Sequence, residues 1–139
     1  MVDAQHEVKS AKPVYRNIGL AQLIKYRLPW AGKVSILHRI SGAALFLMLP
    51  FILYLFDQSL ASEISYQKFQ AITGHVLVKI IALGLIWCFL HHFCAGIRYL
   101  LLDLEIGVEK ADANRSAIVV FFLGLALTAV VGLKLFGLY

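Results

Sequence analysis

Three long apolar stretches, at about 34–56, 75–102 and 117–138, alternate with polar segments along this chain of 139 residues. A helix crossing a bilayer takes about 20 apolar residues, so each stretch predicts one. The first is apolar apart from Ser35, His38, Arg39 and Ser41, all in its opening two turns, and Asp57 ends it. The second covers 28 residues. At ~42 Å of helix it exceeds the hydrocarbon core, so its ends protrude or it tilts. The third is almost free of polar groups, with Lys134 near its end able to snorkel outward. Residues 57–74 and 103–116 read as polar loops, the second holding four acids and two bases. Ahead of the spans, 1–12 is polar, and the apolar spacing over 18–26 predicts a short interfacial helix before Pro29 and Trp30. Trp is common at the membrane–water boundary. The pattern thus predicts an all-α membrane protein with three transmembrane helices. It divides into an N-terminal segment, 1–33, and a three-helix transmembrane domain, 34–139.

Composition strengthens this picture. Sixty per cent of the residues are hydrophobic and only 15% are charged, too apolar for a soluble domain of this size. The net charge of +5 does not point to nucleic acid, because seven of the thirteen Lys and Arg lie within the first 39 residues. Such a bias places the N-terminus in the cytoplasm, the second loop on the same side and the C-terminus outside. Cys88 and Cys94 are six residues apart, which points them in different directions on a helix and excludes an intrahelical disulfide. Acidic and polar residues precede any apolar run, which fits neither a signal peptide nor a transit peptide.

The orientation brings two polar clusters to one level. Ser35, His38 and Arg39 open the first span, while Arg98 and Asp103 close the second. Polar groups are costly in hydrocarbon and mark functional sites there. At 100° per residue, Cys88, His92, Ala95, Gly96, Tyr99 and Asp103 share one face. Ala95 and Gly96 leave room beside His92 for a large planar group or a close helix. His91 is rotated away with Cys94 and Arg98, so it reads as a packing or hydrogen-bonding neighbour.

Depth separates the histidines. His92 lies ~16 Å from Asp103 along the helix, mid-membrane and at a suitable height for a haem iron. His38 is expected ~10 Å shallower, poorly placed as an opposite axial ligand but within reach of a propionate. His75, ~25 Å from His92 on the same helix, cannot share its iron. A lone membrane histidine reads more readily as a hydrogen-bonded packing residue than as a ligand. Gly96 alone likewise reads as helix packing.

Two motifs carry a resemblance to a known family. Ser35-Ile36-Leu37-His38-Arg39-Ile40-Ser41-Gly42 is followed by His92, three residues, Gly96-Ile97-Arg98, and then Asp103. With the three spans and their orientation, these make the chain similar to the cytochrome b large membrane-anchor subunit of succinate dehydrogenase. The resemblance covers most of the chain. It implies that this subunit and a second small membrane-anchor subunit hold one haem b between them in a larger helical bundle. It also implies docking of an iron-sulfur subunit and a flavoprotein subunit at the cytoplasmic face of the bacterial inner membrane. The assembly so implied passes electrons from succinate, in the citric acid cycle, to quinone.

Carried over by motif position, His92 resembles the axial ligand of the haem iron. His38 and Arg98 resemble groups near the haem propionates and the quinone pocket. Ser35 and Arg39 resemble quinone-site residues, and Asp103 matches the acid closing the second motif. The family's N-terminal Arg-Pro appears here as Lys12-Pro13, and the stretch to Ser35 is longer than in some relatives.

The residue types suit those roles. Neutral imidazole ligates iron well, arginines pair with buried propionates, and Ser35 and Arg39 could bind a quinone carbonyl and the negative charge developing on it. Without the resemblance, Ser35 and Arg39 read as a helix cap and an interfacial snorkelling arginine. The succinate chemistry is not in this chain, which has no dinucleotide fingerprint, flavin attachment motif or iron-sulfur cysteine cluster. It is expected to act only as a subunit, with ubiquinone the expected substrate. The alternatives are the anchor of a quinol:fumarate reductase, or a haem-free membrane scaffold or transporter component.

Overall fold

The structure is a computed structural model describing Gly19, Gln22 and residues 25–138. The interfacial helix expected over 18–26 lies largely outside the described residues. Four helices follow: α1 (Trp30–Ala61), α2 (Glu63–Gly74), α3 (Val76–Asp103) and α4 (Lys110–Leu135). Of these, α1, α3 and α4 are long and apolar enough to cross a membrane, and no strand occurs among the described residues.

Local chemistry sets the breaks. The extended backbone at Pro29 starts α1 without a side-chain cap of its own, although the first-turn N–H groups of a helix need partners. Pro50 sits inside α1, as spanning helices tolerate when neighbours re-satisfy the backbone. Extended Ser62 ends α1 and opens α2 through a reciprocal capping box with Ser65. The segment 57–74, expected as a polar loop, is therefore the end of α1 plus a further helix. Its apolar residues Ile64, Phe69 and Ile72 are interspersed among Ser, Gln and Glu, which a reading based on polarity alone passes over. His75 then breaks the chain again, and its Nδ1 accepts the Leu77 N–H at 3.2 Å.

After α3, Glu105 adopts a left-handed conformation with φ 61°. The Ile106 N–H donates to Leu101 O and the Glu105 N–H to Leu102 O, the double-bonded helix stop usually built around glycine. The second loop is accordingly short, and α4 starts at Lys110 rather than near Ala117.

Call the end of the bundle carrying Trp30, Asp103 and Lys110 its proximal end. The apolar core sits there: Val34, Cys94, Ala95, Ala117 and Val120, with Trp30, Ala31 and Phe121 packed against it. Ala117, Val120, Gly124, Thr128 and Gly132 form the buried stripe of α4. Small residues of this kind let helices approach in an apolar solvent. Elsewhere large side chains such as Phe46, Leu53, Phe89 and Leu100 point outward, as expected of surfaces facing lipid or another apolar partner. Cys88 and Cys94 are both free thiols, as their spacing requires.

Candidate functional site

His38 and Ser41 of α1 meet His92 and Tyr99 of α3 in the proximal half of the bundle. The His38 and His92 rings stack face to face, centroids 4.1 Å apart and 12° from parallel. Tyr99 leans on His38 with ring centroids 5.1 Å apart. This corrects the expectation that His38 lies well shallower than His92. The first span begins at Trp30 rather than near Val34, so His38 is some two turns inside it. Depth counted from the wrong boundary carried the error.

His92 is held by one side of its ring. Nδ1 lies 3.0 Å from the His38 carbonyl oxygen and 3.3 Å from Ser41 Oγ, while the Ser41 hydroxyl donates to the same carbonyl at 2.9 Å. A carbonyl oxygen only accepts, so Nδ1 carries the proton and donates. In the neutral ring Nε2 then carries the free lone pair, and it makes no hydrogen bond among the described residues. An imidazole whose far nitrogen donates to a carbonyl is oriented as metal-ligating histidines are. Gly42 provides the seat: a methyl there would come within 2.8 Å of His92 Cε1. Gly96 contributes on the other side, where an added methyl would meet only His38 Nε2 at 3.8 Å. The room predicted beside His92 is thus taken by a close helix and the His38 ring.

These features fit a haem iron taking one ligand from this chain. The free Nε2 is a suitable donor, and no group of three or more His, Cys, Asp or Glu able to hold a metal occurs among the described residues.

Ser35 and Arg39 form a pair one turn apart on α1. The Arg39 guanidinium donates to Ser35 Oγ at 3.2 Å and, through Nε, to the Ser35 carbonyl at 3.4 Å. Arg39 is exposed, as is Asp103 at the end of α3. The Asp103 side chain makes no hydrogen bond or ion pair among the described residues, so the structure does not join it to Ser35 or Arg39. Arg98 also stands apart. It is buried and bound to α4, with Nε donating to Ser116 Oγ at 3.0 Å and a terminal nitrogen to the Ala113 carbonyl at 2.9 Å. Its link to the histidines is indirect: its guanidinium carbon lies 5.5 Å from the centre of the Tyr99 ring.

His91 is fully buried, its ring stacked on Trp87 with centroids 5.3 Å apart and its backbone against Gly124. Neither ring nitrogen makes a well-formed hydrogen bond among the described residues, although the Val34 backbone interacts with the ring; His91 is packed between α3 and α4, on the side its helical angle suggests. Ser41, Gly42 and Tyr99 were not singled out as site residues from sequence. Ser41 and Gly42 lie inside the quoted motif and Tyr99 on the His92 face, but only the helix packing shows what they touch.

Residues 12–131 match the family described as succinate dehydrogenase/fumarate reductase transmembrane subunit. The chain is 35% identical over 100 residues to the succinate dehydrogenase cytochrome b556 subunit of Coxiella burnetii, covering 71% of this chain and 80% of the relative. It is 32% identical over 92 residues to that of Paracoccus denitrificans, covering 66% and 71% respectively. To that of Rickettsia felis it is 25% identical over 114 residues, covering 82% and 85%. The chain therefore belongs to the transmembrane subunits of succinate dehydrogenase and fumarate reductase, as a multi-pass cytochrome b membrane anchor.

Proposed function

We propose that this subunit holds one haem b through His92, jointly with a second small membrane-anchor subunit, and builds part of a quinone-reduction site at the proximal end. The observation that carries the reading is how His92 is held: Nδ1 lies against the His38 carbonyl and Ser41, which favours the neutral ring with its proton on Nδ1 and its Nε2 lone pair free for a metal. When bound, haem b supplies a one-electron redox centre in the membrane. His38 lies beside the ligand. Arg98 keeps a buried positive charge at this level of the bundle, with no carboxylate partner among the described residues, although its hydrogen bonds run to α4 rather than toward His92; propionates need such charge when taken out of water.

On the quinone side, Arg39 donates to Ser35 Oγ, so the Ser35 hydroxyl keeps its own proton to donate to a quinone carbonyl. Arg39 stabilises the negative charge that develops on that carbonyl as electrons arrive. Asp103 belongs to the same exposed rim. In this reading the proximal end faces the cytoplasm of a bacterial cell. The flavoprotein and iron-sulfur subunits dock there and supply electrons from succinate, and ubiquinone is the acceptor. The relatives' names, all succinate dehydrogenase subunits, favour that direction over fumarate reduction.

The reduced-minus-oxidised spectrum of the membrane complex tests the haem assignment. A b-type signal that disappears in His92→Ala is expected, and one that persists unchanged would sink it. Replacing Ser35 or Arg39 with Ala should depress quinone reduction while succinate oxidation by an artificial acceptor continues. Unchanged quinone turnover in both would remove these residues from the site.

A further inference from the structure

We infer that Asn114, in the first turns of α4, is a positioning residue for the His38–His92 pair, acting through the start of α1. This rests on the reading of His92 as the haem ligand. The start of α1 has no side-chain cap of its own. Instead Asn114 Oδ1 accepts the Ala31 N–H at 3.2 Å, across 83 positions of sequence. The other end of the same amide donates to the Lys110 carbonyl at 3.0 Å. That bond needs an N–H, so the amide cannot flip, and its oxygen stays directed at α1.

The same turn of α4 also holds α3. Arg98 donates to the Ala113 carbonyl and to Ser116 Oγ, and Ser116 in turn donates to the Ala113 carbonyl at 3.2 Å. Ala113, Asn114 and Ser116 therefore fix the proximal ends of α1 and α3 relative to one another. Trp30 backs the α1 tie by packing on Phe121 at 5.6 Å and Phe122 at 6.5 Å.

Leverage follows from the spacing. Ala31 is seven residues before His38 and Arg98 six after His92, ~10 Å and ~9 Å along straight helices. Both histidines thus hang at nearly equal distances from one anchoring turn. The Nδ1 bond to the His38 carbonyl crosses from α3 to α1, so a slip of α1 at its start is transmitted directly to the ring that would ligate iron. The same slip moves Ser35, which lies between the anchor and His38.

The test uses the intact membrane complex with Asn114→Ala, Asn114→Asp and Asn114→Gln. Asp keeps the acceptor for the Ala31 N–H, Ala removes it, and Gln displaces it by one methylene. Asn114→Ala is expected to keep its haem, shift the haem midpoint potential and raise the quinone KM about fivefold, the scale of one lost hydrogen bond. Succinate turnover with an artificial acceptor stays unchanged, and Asn114→Asp, which keeps the acceptor but loses the amide N–H to the Lys110 carbonyl, restores most of the KM. If the Ala variant does not assemble, Asn114→Gln is read in its place against the same two quantities. Wild-type KM and potential per haem, even with less complex in the membrane, would overturn the proposal by showing a merely structural cap. Absence of haem from the unmodified complex would instead overturn the reading of His92.

Discussion

A methyl group added at Gly42 is the sharpest probe of how His92 is held. It would lie 2.8 Å from Cε1 and 3.2 Å from Nδ1 of that ring. Heavy-atom contacts become comfortable from about 3.5 Å, so the ring or the helix must retreat by roughly 0.7 Å. The ring has little freedom, being stacked on His38 at 4.1 Å and bonded to the His38 carbonyl at 3.0 Å. Adding ~0.7 Å to that bond takes it out of hydrogen-bonding range. Overpacking costs about 1–3 kcal/mol and the lost bond about 1 kcal/mol more. For a metal-ligating histidine, losing the partner of the far nitrogen lowers metal affinity about 10- to 100-fold. Gly84→Ala is the matched control, because a methyl there meets nothing within 4 Å. Haem per subunit, read from the reduced-minus-oxidised spectrum after detergent extraction, should fall sharply in Gly42→Ala and stay at the wild-type level in Gly84→Ala. Equal haem retention and identical spectra in both variants would refute the idea that the α1–α3 contact seats the ligand.

Two further substitutions dissect the same neighbourhood. Ser41→Ala removes the hydroxyl beside Nδ1 but leaves the His38 carbonyl; haem loss on dilution in detergent should quicken by about fivefold, the worth of one hydrogen bond. His91→Phe exchanges a buried ring whose nitrogens make no well-formed hydrogen bond among the described residues for an apolar ring of similar shape, so the thermal midpoint of the complex should hold or rise and the haem content stay unchanged. A large drop in that midpoint would show that His91 has a polar partner.

The three spans were legible because lipid imposes a strong rule: an apolar run long enough to cross must be helical. Helix ends were less legible, because they depend on capping and backbone geometry rather than on hydropathy. Ser62 and Ser65 cap each other, so a segment that looks like a polar loop is α2. Glu105 takes a left-handed conformation where glycine is the usual signal, and nothing in its side chain announces the turn. At the start of α4, a run of charged residues reads as loop, yet Asn114 and Ser116 there bind α1 and α3.

The site divides along the same line. Which residues could do chemistry was readable from residue type and helical angle, since a histidine, an arginine or a serine in an apolar span stands out. How they are joined was not. The bond that orients His92 ends on a main-chain carbonyl, and a carbonyl has no identity in a sequence. His38 matters here as much for its backbone oxygen as for its ring. Arg98 shows the converse: its side chain is conspicuous, yet both of its hydrogen bonds go to α4, on the His91 side of α3 and away from the His92 face. A charge close to a ligand in sequence is therefore not necessarily a contact to it. In this bundle the arginine fixes the helix that carries the ligand, and the α1 carbonyl fixes the ligand itself.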